Sequence, residues 1–192
     1  MPQTGTEQQV VLILCGLVGA GKSTFAKALE THYPRFKRCN QDDLGDRRLV
    51  EDLARASLAA GLSVCIDRTN FDSQQRSHWV KIAREFPGVA VWVLSFNISY
   101  DICSQRLASR LDHPTIHGYE QGLSVLDRMA HNFRPAAFYE GFDRIYRIYE
   151  TKPDYSRDEI AQLLNAISTS PPPPVFVQRR PPASTPRRAF TH

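Results

Sequence analysis

The chain has no two cysteines close together. Cys15, Cys39, Cys65 and Cys103 are its only four, and the nearest pair is 24 residues apart. That spacing excludes a C-x-x-C redox pair and a zinc knuckle. The four read as reduced thiols that pack as small apolar side chains. Long apolar runs are missing too, since none approaches the roughly 20 residues of a membrane span. The opening residues MPQTGTEQQ are polar and contain no basic-then-apolar leader. The protein is therefore expected in the cytosol or nucleus, not secreted and with no membrane partner. There are no internal repeats. Net charge is missing from most of the chain. Four of its 24 basic residues lie in 171–192, which has no acidic residue, so residues 1–170 hold 20 of each sign. The sequence pI near 9.0 belongs to the tail, and any basic patch on the domain must be local.

What the chain does contain begins at CGLVGAGKST, residues 15–24. Gly16 to Ser23 spell G-x-x-x-x-G-K-[ST]. Glycines here let consecutive amide N–H groups turn inward as an anion nest. The helix after the loop adds the positive end of its dipole. The candidate nucleotide-binding residues are Gly16, Gly19, Ala20, Gly21, Lys22, Ser23 and Thr24. Lys22 reaches the outer phosphates, and the Ser23 hydroxyl is placed to ligand Mg²⁺. The context agrees. Val10 to Leu14 is a short apolar run suited to a buried strand, and Phe25, Ala28, Leu29 and His32 come next at helical spacing.

A length of 192 residues suits one domain with a tail, and such a domain buries about 70% of its unfolded surface without staples. Strands are expected at 36–40, 62–67, 89–96 and in FDRIYRIYE. A helix from GDRRLVED onward presents Val50, Leu53, Ala54 and Ser57 and stops at Gly61. Asp72 caps the next helix, with Gln75 as its capping-box partner, and Ser99 caps another. LDHPTIHG breaks that helix at Pro114. Ser156 and Glu159 form a box for a last helix whose stripe is Ile160, Leu163, Leu164 and Ile167. Alternating strands and helices predict an α/β fold, a parallel sheet flanked by helices. Ligands then gather at the strand carboxyl ends. The expected division is a flexible N-terminus over 1–8, a domain over 9–170 and a disordered or polyproline-like tail over 171–192, rich in Pro and Arg. The tail is a candidate binder of nucleic acid or of a protein partner, and the chain is expected to be a monomer.

The phosphate needs an acceptor. In NQDDLG, residues 40–45, Asp42 or Asp43 can serve as the base that takes a hydroxyl proton, or can cap the next helix. In DRTN, residues 67–70, Asp67 can bind Mg²⁺ as a Walker-B-like acid. Thr69 and Asn70 offer neutral hydrogen bonds to an acceptor, or simply cap the adjoining helix. Arg106 and Arg110 share a helix face, either to neutralise phosphoryl charge or as a solvated basic face.

In this order, GLVGAGKST, NQDDLG, DRTN, RLASRLDHPTI and EGFDRIYRI resemble the motifs of polynucleotide 5′-hydroxyl kinases. They are similar to the kinase module of polynucleotide kinase/phosphatase enzymes and to the kinase-like module fused to aprataxin-like domains. The resemblance covers about residues 9–150. It implies a P-loop kinase fold with a helical lid. It also implies ATP or GTP with Mg²⁺ as donor, and a 5′-hydroxyl DNA or RNA end as acceptor. Asp42 then becomes the general base, Arg106 and Arg110 the lid arginines, and Lys22 and Ser23 the phosphate ligands. Where the family reads D-N-T-N, this chain has Arg68, a candidate contact to the acceptor's phosphates. Kinases of small metabolites or nucleosides, and a non-catalytic nucleotide-binding module, are the alternatives.

Overall fold

The computed structural model describes residues 8–109 and 119–174. Five strands form one sheet: β1 (Val10–Gly16), β2 (Phe36–Asn40), β3 (Ser63–Asp67), β4 (Ala90–Phe96) and β5 (Arg144–Ile148). All pairs are parallel, in the order β2-β3-β1-β4-β5. The strands alternate with α1 (Lys22–His32), α2 (Gln41–Leu44), α3 (Arg47–Ala59), α4 (Ser73–Arg84), α5 (Tyr100–Ala108), α6 (Tyr119–Asn132) and α7 (Arg157–Thr169).

β1 explains why the sheet needs helices on both faces. Successive side chains of a strand point to opposite sides. Val10, Leu12 and Leu14 enter one core with Phe25, Leu29, Ile160 and Ile167 from α1 and α7. Val11, Ile13 and Cys15 enter the other, with Val50, Ala54, Trp79 and Ile82 from α3 and α4. An unbroken apolar run is what a strand covered on both faces requires.

Caps set the helix starts. Asp72 accepts from the Gln75 amide at 2.8 Å, and Ser99 caps α5. Ser156 and Glu159 complete a reciprocal box on α7. Gln75 departs from expectation, because its Oε1 is buried with no hydrogen-bond partner among the described residues. The box on α4 is therefore only half made. Two short elements were not foreseen, α2 and a 3₁₀ turn at Phe138–Glu140. The breaker LDHPTIHG lies outside the described residues, as do Arg110, residues 1–7 and residues 175–192 of the expected tail. Among the described residues no helix is long and apolar enough to cross a membrane.

All four thiols are free and buried. Burial raises each of them, with Cys39 pushed up to about 12. A buried, protonated thiol is a poor nucleophile. Ellman's reagent at pH 8 is therefore expected to label none of the four quickly in the native protein and all four in guanidinium. Rapid labelling of one native thiol would contradict this packing.

Candidate active site

The register of the sheet brings the strand ends together. Asn40 lies beside Asp67, and Gly16 beside Phe96. β1 sits between β3 and β4, the place where consecutive connections leave in opposite directions and a crevice opens. A cleft of about 300 Å³ lies there, between the P-loop, the β2 and β3 ends, and Val125 and Met129 of α6.

Gly21 stands at the N-cap of α1 in the left-handed region, with φ +92°, and no side chain caps this helix. Its first turn holds no acidic residue, so the amide end is open to an anion. At Gly19, with φ +82°, a Cβ would come within 2.7 Å of the Cys103 carbonyl oxygen. The loop therefore lies flat against α5. Lys22 bends back over it, and Nζ donates to the carbonyls of Gly16 at 2.9 Å and Leu17 at 2.6 Å. Ala20 is fully buried beneath the loop. Thr24 faces a separate shallow groove with Lys27 and Asp154.

Asp67 ends β3 with 2% of its surface exposed. Its Oδ1 accepts from the Ser23 hydroxyl at 3.0 Å. Its Oδ2 accepts from Asn40 Nδ2 at 3.0 Å and from Arg38 Nε at 2.7 Å. Arg38 also pairs with Asp43. Burial works against the charged guanidinium, yet Asp67 and then Asp43 raise its pKa above the ordinary arginine value. Asp42 is exposed on α2 and lines the cleft. Neither Asp42 nor Asp43 caps α3, because Asp46 does so, while Asn40 caps α2.

Arg68 and Thr69 also line the cleft. The Arg68 guanidinium lies 6.0 Å from the centre of the Trp79 ring, and no carboxylate pairs with it among the described residues. Burial, and then the charge of Arg47, lowers its pKa. The Thr69 carbonyl accepts from the Gly16 amide at 3.1 Å, which ties the DRTN loop to the P-loop.

Asn70 departs from its expected part as an acceptor ligand. It is fully buried, with φ +46°. Its amide donates to the Leu14 carbonyl at 2.8 Å and accepts from the Trp79 indole at 3.0 Å. Beneath it, Arg76 donates to the Asn70 carbonyl at 2.9 Å and to both Glu140 oxygens at 2.8 Å. Asn70 is thus a fastener of the loop.

Arg106 reaches the P-loop from α5. It donates to Thr151 Oγ1 at 2.7 Å and, more weakly, to the Gly19 carbonyl at 3.4 Å. Thr151 also touches the position a Gly21 Cβ would take, so Arg106 braces the loop through it. Sequence reasoning missed Arg38, Asn40, Arg76 and Thr151. Arg76 left one signal, since Arg76, Trp79, Ile82 and Ala83 share the spacing of a buried helix face.

The arrangement places an anion cradle, a buried carboxylate with one oxygen turned to a hydroxyl, and an exposed carboxylate on one cleft. That set suits phosphoryl transfer from a nucleotide.

The comparisons point the same way. A family model described as an AAA domain matches residues 40–136, half of the chain. Transcription factor bHLH140 of Arabidopsis thaliana is 30% identical over 166 residues, 83% of this chain and 18% of that protein. The bifunctional polynucleotide phosphatase/kinase of Schizosaccharomyces pombe is 35% identical over 81 residues, 42% of this chain and 20% of that protein. The chain thus spans about a fifth of the length of these curated relatives. A fungal RNA kinase superposes with a TM-score of 0.66 at 16% identity, over 85% of this chain and 88% of the other. A sugar kinase from Janibacter sp. gives 0.61 at 15% identity, over 84% and 94%. At such identities the likeness is one of fold. Taken with the P-loop and the parallel sheet, the match over half its length shows that this chain belongs to the AAA domain family, as a member with a P-loop kinase fold.

Proposed function

We propose that the protein transfers the γ-phosphoryl group of ATP or GTP to the 5′-hydroxyl of a DNA or RNA end. The observation that carries this is the shared cleft, which is lined by Lys22 and Ser23 at the start of α1 and by Asp42 of α2. Asp42 takes the proton of the 5′-hydroxyl as its oxygen attacks the γ-phosphorus. The bond from that phosphorus to the β–γ bridging oxygen breaks, and the nucleoside diphosphate leaves. Catalysis then rests on positioning and on charge placed against the phosphoryl oxygens. Lys22 supplies a point charge there. Arg106, braced beside Gly19, supplies a second, and Arg110 is proposed as a third.

Mg²⁺ favours oxygen ligands and keeps few protein contacts, with phosphates completing its shell. The Ser23 hydroxyl and Asp67 Oδ1 form such a pair, while Oδ2 is already occupied, so the donor set fits. Held there with a nucleotide, Mg²⁺ would neutralise phosphoryl charge.

The test incubates the protein with γ-labelled nucleotide and a 5′-hydroxyl oligonucleotide, then digests the product to mononucleotides. Label in a 5′-monophosphate supports the reading. Label elsewhere, or none, refutes it.

A second reading, a kinase of a small metabolite or nucleoside, draws on the formal neutrality of residues 1–170 and on the apolar wall of Val125 and Met129. Arg68 separates the two. A cation with no carboxylate partner among the described residues attracts phosphate in a cleft, and a hydrogen bond to a charged group is worth about 1.5–3 kcal/mol. Arg68→Ala is therefore expected to raise KM for an oligonucleotide about 10–100-fold while nucleotide affinity stays unchanged. An unchanged KM for the oligonucleotide would remove Arg68 from the acceptor side.

A further inference from the structure

α2 is the least supported element around the cleft. It has four residues and buries none of them. One turn of helix does not sustain itself in water, so side chains must hold it. Asn40 Oδ1 accepts from the Asp43 amide at 3.0 Å, and the Asp43 carboxylate pairs with Arg38. Both ties lead to one group. Asn40 Nδ2 donates to Asp67 Oδ2 at 3.0 Å, and Arg38 meets the same oxygen through two nitrogens at 2.7 Å. The other Asp67 oxygen accepts from Ser23 of α1. A single carboxylate thus stands between the P-loop helix and the turn that carries Asp42.

We infer that Arg38 is a positioning residue that couples the two sides of the cleft, so that loading the P-loop orders the α2 turn through Asp67, Arg38 and Asp43. The inference rests on the proposed function for what each side binds. Its physical basis is competition between two carboxylates for one guanidinium. The side chains of Arg38 and Asp67 are 10% and 1% exposed, so water screens their attraction weakly. The Asp67 charge is countered by Arg38. A magnesium nucleotide at Oδ1 would neutralise part of that charge. The pull of Arg38 then shifts toward Asp43, and α2 is held more firmly. A planar fork can serve both carboxylates at once, whereas the compact ammonium of lysine cannot.

The test is hydrogen exchange of the backbone amides of residues 41–45, with and without the magnesium complex of a non-hydrolysable ATP analogue. In the wild type the analogue is expected to slow exchange about 5–10-fold, the low end of usual coupling between sites. Arg38→Lys is expected to abolish that slowing. Asp43→Ala, on an exposed side chain, is expected to abolish it too, with affinity for the analogue kept within about twofold because Asp43 does not touch Asp67. Melting curves establish that both variants fold. No slowing in the wild type overturns the coupling, and so does equal slowing in all three proteins. The latter with a lower Arg38→Lys melting temperature would leave Arg38 a merely structural role. No acceptor enters this experiment. A wild type that fails to phosphorylate oligonucleotides therefore refutes the proposed reaction alone, while the exchange data still decide the coupling.

Discussion

Asp42→Asn is expected to bind nucleotide as the wild type does and to transfer phosphate about 10²–10⁴-fold more slowly, the usual consequence of losing a general base. The amide keeps the shape of the side chain and removes only the proton acceptor. Binding should survive because Asp42 stands on α2 and belongs neither to the P-loop nor to α1. Single-turnover transfer to a 5′-hydroxyl oligonucleotide, with nucleotide affinity measured separately, checks both halves. The neighbouring carboxylate supplies the contrast. Asp43 is exposed and pairs with Arg38 from outside the cleft. A surface ion pair contributes up to about 1 kcal/mol, so Asp43→Asn is expected to cost no more than about fivefold. Equal and mild effects at both positions would reduce α2 to a connecting turn.

The second large effect concerns stability. Arg76 and Glu140 form an ion pair whose side chains are 1% and 5% exposed. Arg76 also donates to the Arg134 carbonyl at 2.9 Å, and Glu140 accepts from the Ala137 amide at 3.0 Å. Arg76→Leu leaves a buried carboxylate without its partner, which costs about 3–5 kcal/mol. The loss should appear as a lower midpoint in urea with an unchanged slope. Transfer should fall as well, because Asn70 loses its support and the loop bearing Arg68 and Thr69 loosens. Arg55→Ala gives the scale. Arg55 meets Glu85 at 2.8 Å on the surface, and its loss should cost under about 1 kcal/mol. Similar costs for the two variants would contradict the buried network.

The difference between these two arginines also explains how much of the molecule was legible in its sequence. The P-loop, β1 and the caps at Asp72, Ser99 and Ser156 are local. Each is set by residues a few positions apart, and periodicity or spacing exposes them. The placement of Asp42 and Asp67 was legible for a related reason, since the end of a parallel strand and the loop after it lie at the carboxyl edge of the sheet. Arg38, Asn70 and Arg76 act through partners 29, 56 and 64 residues away. No local pattern reports such a partner. Asn70 was read either as a neutral hydrogen-bonding ligand of the acceptor or as a cap of the adjoining helix. Here a left-handed backbone and the indole of Trp79 turn it inward. Arg106 was read either as a phosphoryl-neutralising arginine or as part of a solvated basic face, and Thr151, far along the chain, holds it beside the P-loop.

The most direct test of the proposed reaction is a comparison of kcat/KM for matched acceptors under one set of nucleotide and Mg²⁺ conditions. The set contains a 5′-hydroxyl oligonucleotide in DNA and RNA form, the same oligonucleotides already 5′-phosphorylated, a free nucleoside and a simple sugar. Efficient transfer is expected to at least one 5′-hydroxyl oligonucleotide, none to the phosphorylated forms, and far lower efficiency with the nucleoside and sugar. Efficient transfer to the nucleoside or sugar, with none to any oligonucleotide, would contradict a polynucleotide 5′-kinase.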